Sequence, residues 1–126
     1  MSSIIRWLQD WTKSQIDGDW EHELGISISM LDNPGWILSA DISNYGDFLT
    51  ETKPLGRDND VDWIDFEVRV IAKTYLYIEI FGDISKLNKI LYSFKANIEE
   101  LEEIEKQGKG ILSAHRIKEI IDNALS

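Results

Sequence analysis

The sequence predicts an α+β domain: an N-terminal helix, an antiparallel sheet of four to five strands, and two C-terminal helices packed on one face. Three observations predict it. Apolar residues recur at helical spacing near the start, alternate with polar ones in stretches between Leu24 and Phe81, and return to helical spacing from Leu87 onward. A chain of 126 residues makes one domain, 1–126, because two ordinary cores need more length.

Ser3 is suited to cap the first helix, and Ile4, Trp7, Leu8 and Trp11 form its apolar stripe. Asp17 and Gly18 end it, glycine being suited to the left-handed position past a helix. So short a helix is not stable alone, and its stripe is expected to dock on the sheet. Next, Leu24, Ile26, Ile28 and Met30 share one face while Gly25, Ser27 and Ser29 share the other, the pattern of a half-buried strand. Asp32, Asn33, Pro34 and Gly35 follow. Proline presets φ at the second turn position and glycine accepts positive φ at the third, which predicts a type II turn from Asn33 to Trp36. Trp36, Leu38, Ala40 and Ile42 then alternate with Ile37, Ser39 and Asp41 as the returning strand of a hairpin.

Residues 43–60 read mainly as loop, with Phe48, Leu49 and Thr50 as a candidate short strand. Ile64, Phe66, Val68 and Val70 alternate with Asp65, Glu67 and Arg69. Thr74 to Phe81 forms another strand, with Leu76, Ile78 and Ile80 facing the core; Ala72 and Lys73 between them carry no strong turn signal. Gly82 and Asp83 close the sheet and cap a long helix striped by Leu87, Ile90, Leu91, Phe94, Ile98, Leu101 and Ile104, ending at Gly108 and Gly110. Ser113 caps the last helix, with Leu112 and Ile117 placed as a hydrophobic staple.

Composition narrows the function. Hydrophobic residues at 43% and charged residues at 29% are those of a globular chain. No cysteine is present, which removes disulfides, thiolate metal sites and a cysteine nucleophile, and favours a cytoplasmic setting. Arg6 and Asp10 interrupt any apolar stretch of signal-peptide length, so no targeting segment is expected. The net charge of −10 lies wholly in the first half: residues 1–67 hold fourteen acids against four bases, and residues 68–126 hold nine of each. Such a field repels nucleic acid and anionic membranes and speeds encounter with a basic partner.

The densest polar stretch is Asp17, Gly18, Asp19, Trp20, Glu21, His22 and Glu23. Asp19, Glu21 and His22 could serve a small hydrolase or a ligand site as acid, base and near-neutral titrating group. Catalysis, however, needs opposed groups with separated pKa values in a dry cleft, and acids adjacent on an exposed turn stay solvated. A protein-contact patch fits better, with Trp20 and Trp36 as aromatic anchors beside charges; the plain alternative is an acidic turn with its tryptophans in the core. Asp58, Asn59, Asp60 and Asp62 resemble the start of a calcium loop, but Trp63 and Arg69 stand where that loop needs glycine and glutamate. His22 and His115 are far apart, and no phosphate loop or nucleophile elbow appears. No metal and no cofactor are expected. Glu99, Glu100, Glu102, Glu103 and Glu105 on the long helix read as a solvated face.

Taken together, Trp7, Leu8, Gln9 and Trp11, the run from Ser14 to His22, and Leu31 to Trp36 resemble the opening of the immunity protein 53 family. More loosely, Gly82, Asp83, Leu87, Ile90, Leu91 and Phe94 are similar to its closing helix. The resemblance implies an immunity protein, encoded beside a bacterial polymorphic toxin, that neutralises it. It covers a core of 1–103, leaving 104–126 as a helical extension with no inherited meaning. Ile16 stands where many members are expected to carry cysteine, which argues against a thiol role.

The expectation is therefore a non-catalytic inhibitor that occludes a cognate, basic toxin domain by stoichiometric contact. The expected contact residues are Asp17, Asp19, Trp20, Glu21, His22, Asp32, Asn33 and Trp36, joined in one acidic surface built from the first turn and the hairpin.

Overall fold

Helix α1 runs Ser3–Gln15 and places Ile4 and Trp11 inward; the Trp7 and Trp11 rings meet Phe94 of the long C-terminal helix, so the stripe docks chiefly on that helix where the sheet was expected. The computed structural model describes residues 3–22, 25–56, 62–71 and 75–125. The strand opening at Leu24, the acidic stretch Asp58 to Asp60 and the Ala72–Lys73 connection lie outside these residues. After α1 and a short 3-10 helix, Trp20–His22, come β1 (Ile26–Leu31) and β2 (Gly35–Asp41). A second 3-10 helix, Ser43–Phe48, precedes β3 (Ile64–Ile71) and β4 (Tyr75–Asp83). A single 3-10 turn, Ile84–Lys86, capped by the Asp83 carboxylate, leads into α2 (Leu87–Gln107); α3 (Ala114–Asn123) closes the chain.

The four strands form one antiparallel sheet in the order β1-β2-β4-β3. On one face, Leu38 and Ala40 of β2, Ile78 and Ile80 of β4, and Phe66 and Val68 of β3 are buried. They belong to one apolar cluster with Ile90, Phe94, Ile98 and Leu101 of α2, Ile4 and Trp11 of α1, and Leu112, Ile117, Ile120 and Ile121 at α3. The fold is thus the predicted α+β architecture, with a four-strand sheet. α2 ends on Gly108 in the left-handed region (φ 74°), and Ser113 caps α3 by accepting the Arg116 N–H, both as the sequence predicts.

Four local expectations are corrected. α1 stops at Gln15, and Gly18 (φ 98°) lies further along, inside the next turn. The hairpin is not a type II turn. Leu31 pairs with Gly35 across only Asp32, Asn33 and Pro34, and Gly35 is a strand residue without positive φ. Its glycine is required by packing instead: a Cβ there would meet the Gly82 carbonyl oxygen of β4 at 2.5 Å. The candidate strand at Phe48–Thr50 gives way to the 3-10 helix, and the chain next touches the sheet at Thr52, bridged to Val68. Finally, β1 alternates as read, but its apolar face is open: Ile28 is 41% and Met30 61% exposed. β1 is the edge strand, and the helix layer does not reach beyond β2's side of it.

Candidate interaction surface

The acidic turn is assembled from its own backbone. The Asp17 carboxylate accepts from the N–H groups of Asp19 and Trp20, each at 2.9 Å, in the manner of a helix N-cap. Glu21 reaches back: one oxygen accepts from the Asp17 and Gly18 N–H groups at 3.1 Å, and the other from Gly18 at 3.0 Å. The reciprocity is like that of a capping box, but Glu21 stands four residues after Asp17 where the box has its acid three residues on, so the sequence pattern does not announce it. Backbone donors therefore hold both carboxyls below their ordinary range, the Trp20 N–H chiefly for Asp17 and the residue's own N–H chiefly for Glu21. Asp19 and His22 face solvent.

Trp20 turns the other way. It is 7% exposed, sits edge-on to Trp11 with ring centroids 5.8 Å apart, and donates its indole N–H to the Asp41 carbonyl at 2.9 Å. It bolts the turn to the end of β2 from within. Trp36 is half-buried, and its indole N–H reaches the Ile84 carbonyl at 3.1 Å. The two indoles support the surface from beneath, and neither stands out as a free anchor.

The predicted residues do not gather in one place. Trp20 is tied to Asp41, beside the Ile26–Ala40 end of the hairpin, while Asp32 and Asn33 sit exposed past the Leu31–Gly35 end. The five residue steps between those ends span about 17 Å at ~3.4 Å per residue. What connects the two acidic ends is the outer edge of β1.

Local pattern could not reveal that edge, because it depends on strand order. The Asp41 N–H bonds the Gly25 carbonyl at 2.8 Å, so with the observed register Ser27, Ser29 and Leu31 direct their backbone groups at β2. The N–H and C=O groups of Ile26, Ile28 and Met30 point outward. Among the described residues nothing bonds them. The six residues of β1 include no charge and no proline, and their pairing with β2 runs one to one without a bulge. The opposite edge, β3, is covered at its middle. The Val68 carbonyl takes the Thr52 N–H at 3.0 Å, the Thr52 hydroxyl takes the Val68 N–H at 3.0 Å, and Asp65 accepts the Phe66 N–H at 2.8 Å.

The sheet face away from the helices carries a shallow depression of about 550 Å³ between Asp32 and Asn33 on one side and Pro54 and Gly56 on the other. Phe81 and Trp63, with rings 6.1 Å apart, line it beside Asp65. The Asp65 carboxylate is 5% exposed and anchors the approaching loop through the Leu55 and Gly56 N–H groups, at 3.0 and 2.7 Å. Sequence reasoning passed over Asp65 because its loop partners are nine and ten residues away. Among the described residues no three potential metal ligands are grouped to hold an ion, and no helix is long and apolar enough to cross a membrane.

A family model described as immunity protein 53 matches residues 5–99. The comparisons with curated proteins and with solved structures gave no match.

Proposed function

Because the chain belongs to the immunity protein 53 family, we propose that it binds a cognate bacterial toxin and neutralises it by stoichiometric contact, without catalysis. In this reading the toxin is the effector domain of a polymorphic toxin system, its contact surface is basic, and the encounter takes place in the cytoplasm of the producing cell. Neither nucleic acid nor a membrane is a partner.

One observation carries the preference for contact over chemistry. The carboxylates of the acidic turn are fastened to backbone N–H groups and held ionised, Glu21 by three such bonds and Asp17 by two. A general acid needs a carboxyl kept protonated near neutrality by a dry environment, and a general base needs lone pairs free to take a proton, which Glu21 has committed to backbone donors. With Trp20 directed into the core, Asp19, Glu21 and His22 enclose no pocket among the described residues. They form a rigid negative rim, suited to steering a basic surface and to fixing its register. Asp17, Asp19, Glu21 and His22 at one end and Asp32 and Asn33 at the other are the proposed contacts, with Trp20 and Trp36 holding them in place.

The test is direct. The toxin domain encoded beside this gene, purified as an inactive variant, is titrated into the protein by calorimetry at low and at physiological salt. A 1:1 complex whose formation abolishes the active toxin's effect is expected. Asp19→Lys combined with Asp32→Lys should slow association about tenfold at low salt and less at high salt. No binding at micromolar concentration at low salt overturns the proposal.

A further inference from the structure

An edge strand that keeps a straight run of unpaired backbone groups is a template for another strand. Soluble proteins ordinarily blunt such edges with charge, proline, a bulge or a covering loop. β3 is blunted in this way through Thr52 and Asp65, and it carries Glu67 and Arg69. Among the described residues β1 has none of these devices: Ile26, Ser27, Ile28, Ser29, Met30 and Leu31 are uncharged, and Ile28 and Met30 are open to solvent on the side where the helix layer ends. Resting on the proposed toxin-binding function, we propose that the outer edge of β1 takes up an extended strand of the toxin, adding it to the sheet antiparallel or parallel through the backbone groups of Ile26, Ile28 and Met30.

Charge selects the occupant. No lysine or arginine occurs between Lys13 and Lys53, a stretch that contains eight acids. Asp17, Asp19 and Glu21 flank one end of β1, and Asp32 flanks the other. A second copy of this chain would have to pair β1 with β1 antiparallel about a two-fold axis. That arrangement sets the Glu21 end of each copy against the Asp32 end of the other, so like charges meet twice. A strand with lysine or arginine at both ends meets opposite charge twice instead. Its middle should be apolar at every second position, to cover Ile28 and Met30. The edge also explains how acidic groups about 17 Å apart, at five steps of ~3.4 Å, serve one partner: a single bound strand spans both. Because six strand residues alone bury less than a stable interface of roughly 1,200 Å² needs, the two flanking turns complete the contact.

Amide hydrogen exchange, followed by NMR on the full chain with and without the inactive toxin domain, reads the edge directly. The outward N–H groups of Ile28 and Met30 should exchange rapidly in the free protein and at least about tenfold more slowly in the complex, whereas Ser27 and Ser29, already bonded to β2, serve as internal controls. Ile28→Pro removes one outward donor without touching the β1–β2 ladder, and Met30→Lys places a repelling charge on the edge. Each should weaken toxin binding about tenfold or more, with an unchanged circular dichroism spectrum verifying the fold. A 1:1 complex in which the Ile28 and Met30 amides exchange as in the free protein overturns the edge proposal and leaves toxin neutralisation standing. Absence of any complex overturns both. Protection of the same amides without toxin, rising with protein concentration alongside dimerisation in sedimentation, assigns the edge to a second copy and overturns the toxin strand.

Discussion

Trp20 reaches across the hairpin end to Asp41, its indole N–H 2.9 Å from the main-chain carbonyl oxygen. This one bond couples the acidic turn, twenty-one residues earlier in sequence, to the last residue of β2. Trp20→Phe removes the donor and part of the ring volume. The expected loss is about 1–3 kcal/mol, measured by urea unfolding. Tyrosine at this position should recover little of it, because its hydroxyl lies elsewhere than the indole nitrogen.

The close approach of β2 to β4 gives a second expectation. A methyl group on Gly35 would lie 2.5 Å from the Gly82 carbonyl, so Gly35→Ala must push two strands apart. About 2–3 kcal/mol of destabilisation is expected. Gly46, with open space around the same added atom and no positive φ, is the control; Gly46→Ala should change the melting temperature little or raise it.

A third concerns acid. Asp17 and Glu21 have lowered pKa values in the folded protein, from the Trp20 N–H first for Asp17 and its own N–H first for Glu21. Their ionised forms therefore stabilise the fold. That contribution is complete above the unfolded carboxylate range of about pH 4 and is lost as pH falls through the lowered folded values. Unfolding free energy should decline on acidification below about pH 4. In Glu21→Gln the decline should be shallower, as a denaturant series across pH 2–6 will show.

Glu102 behaves with the opposite sign. Partial burial, with Glu99 and Glu105 close by, raises its pKa, so at neutral pH its charge opposes folding. Glu102→Gln should stabilise by about 0.3–0.5 kcal/mol after solvent screening, roughly 1–2 °C in Tm. The gain should vanish below about pH 4, where the native glutamate is itself neutral. Scanning calorimetry at both pH values checks this.

The family match stops within α2 at residue 99, yet α3 packs into the same core through Ile117, Ile120 and Ile121. Ile117, fully buried, is the measure of that packing. Ile117→Ala should cost about 2–4 kcal/mol in a single cooperative transition. A loose appendage would leave the transition unmoved.

Where periodic pattern alone decides, the sequence was enough. The stripe from Leu87 to Leu101, the strand from Ile64 through Phe66 to Val68 and the Ser113 cap stand as read, whereas Val70 is 42% exposed and Asp65 on the polar face is buried. The misreadings share a cause. Ile28 and Met30 alternate like core residues, but whether a strand's apolar face is covered depends on its place in the sheet, and β1 fell at the edge. Pro34 and Gly35 carry a turn signature, but Gly35 answers to Gly82, forty-seven residues on. The proposed contacts were legible as an acidic, tryptophan-rich stretch. Their division between two ends of a hairpin was not, since only tertiary pairing sets that distance.

One consequence follows from the aromatic cluster under α1. Trp7 and Trp11 lie nearly parallel, 13° apart with centroids 6.2 Å distant, and Trp11 also meets Trp20 and Phe94 edge-on. Trp11 and Trp20, crossed at 82° with centroids 5.8 Å apart, are placed for their electronic transitions to couple, so that pair should give a split circular dichroism band that neither ring gives alone. Because the third member of the group carries the acidic turn, the molecule holds a built-in optical reporter on whether that turn is seated, readable without any label.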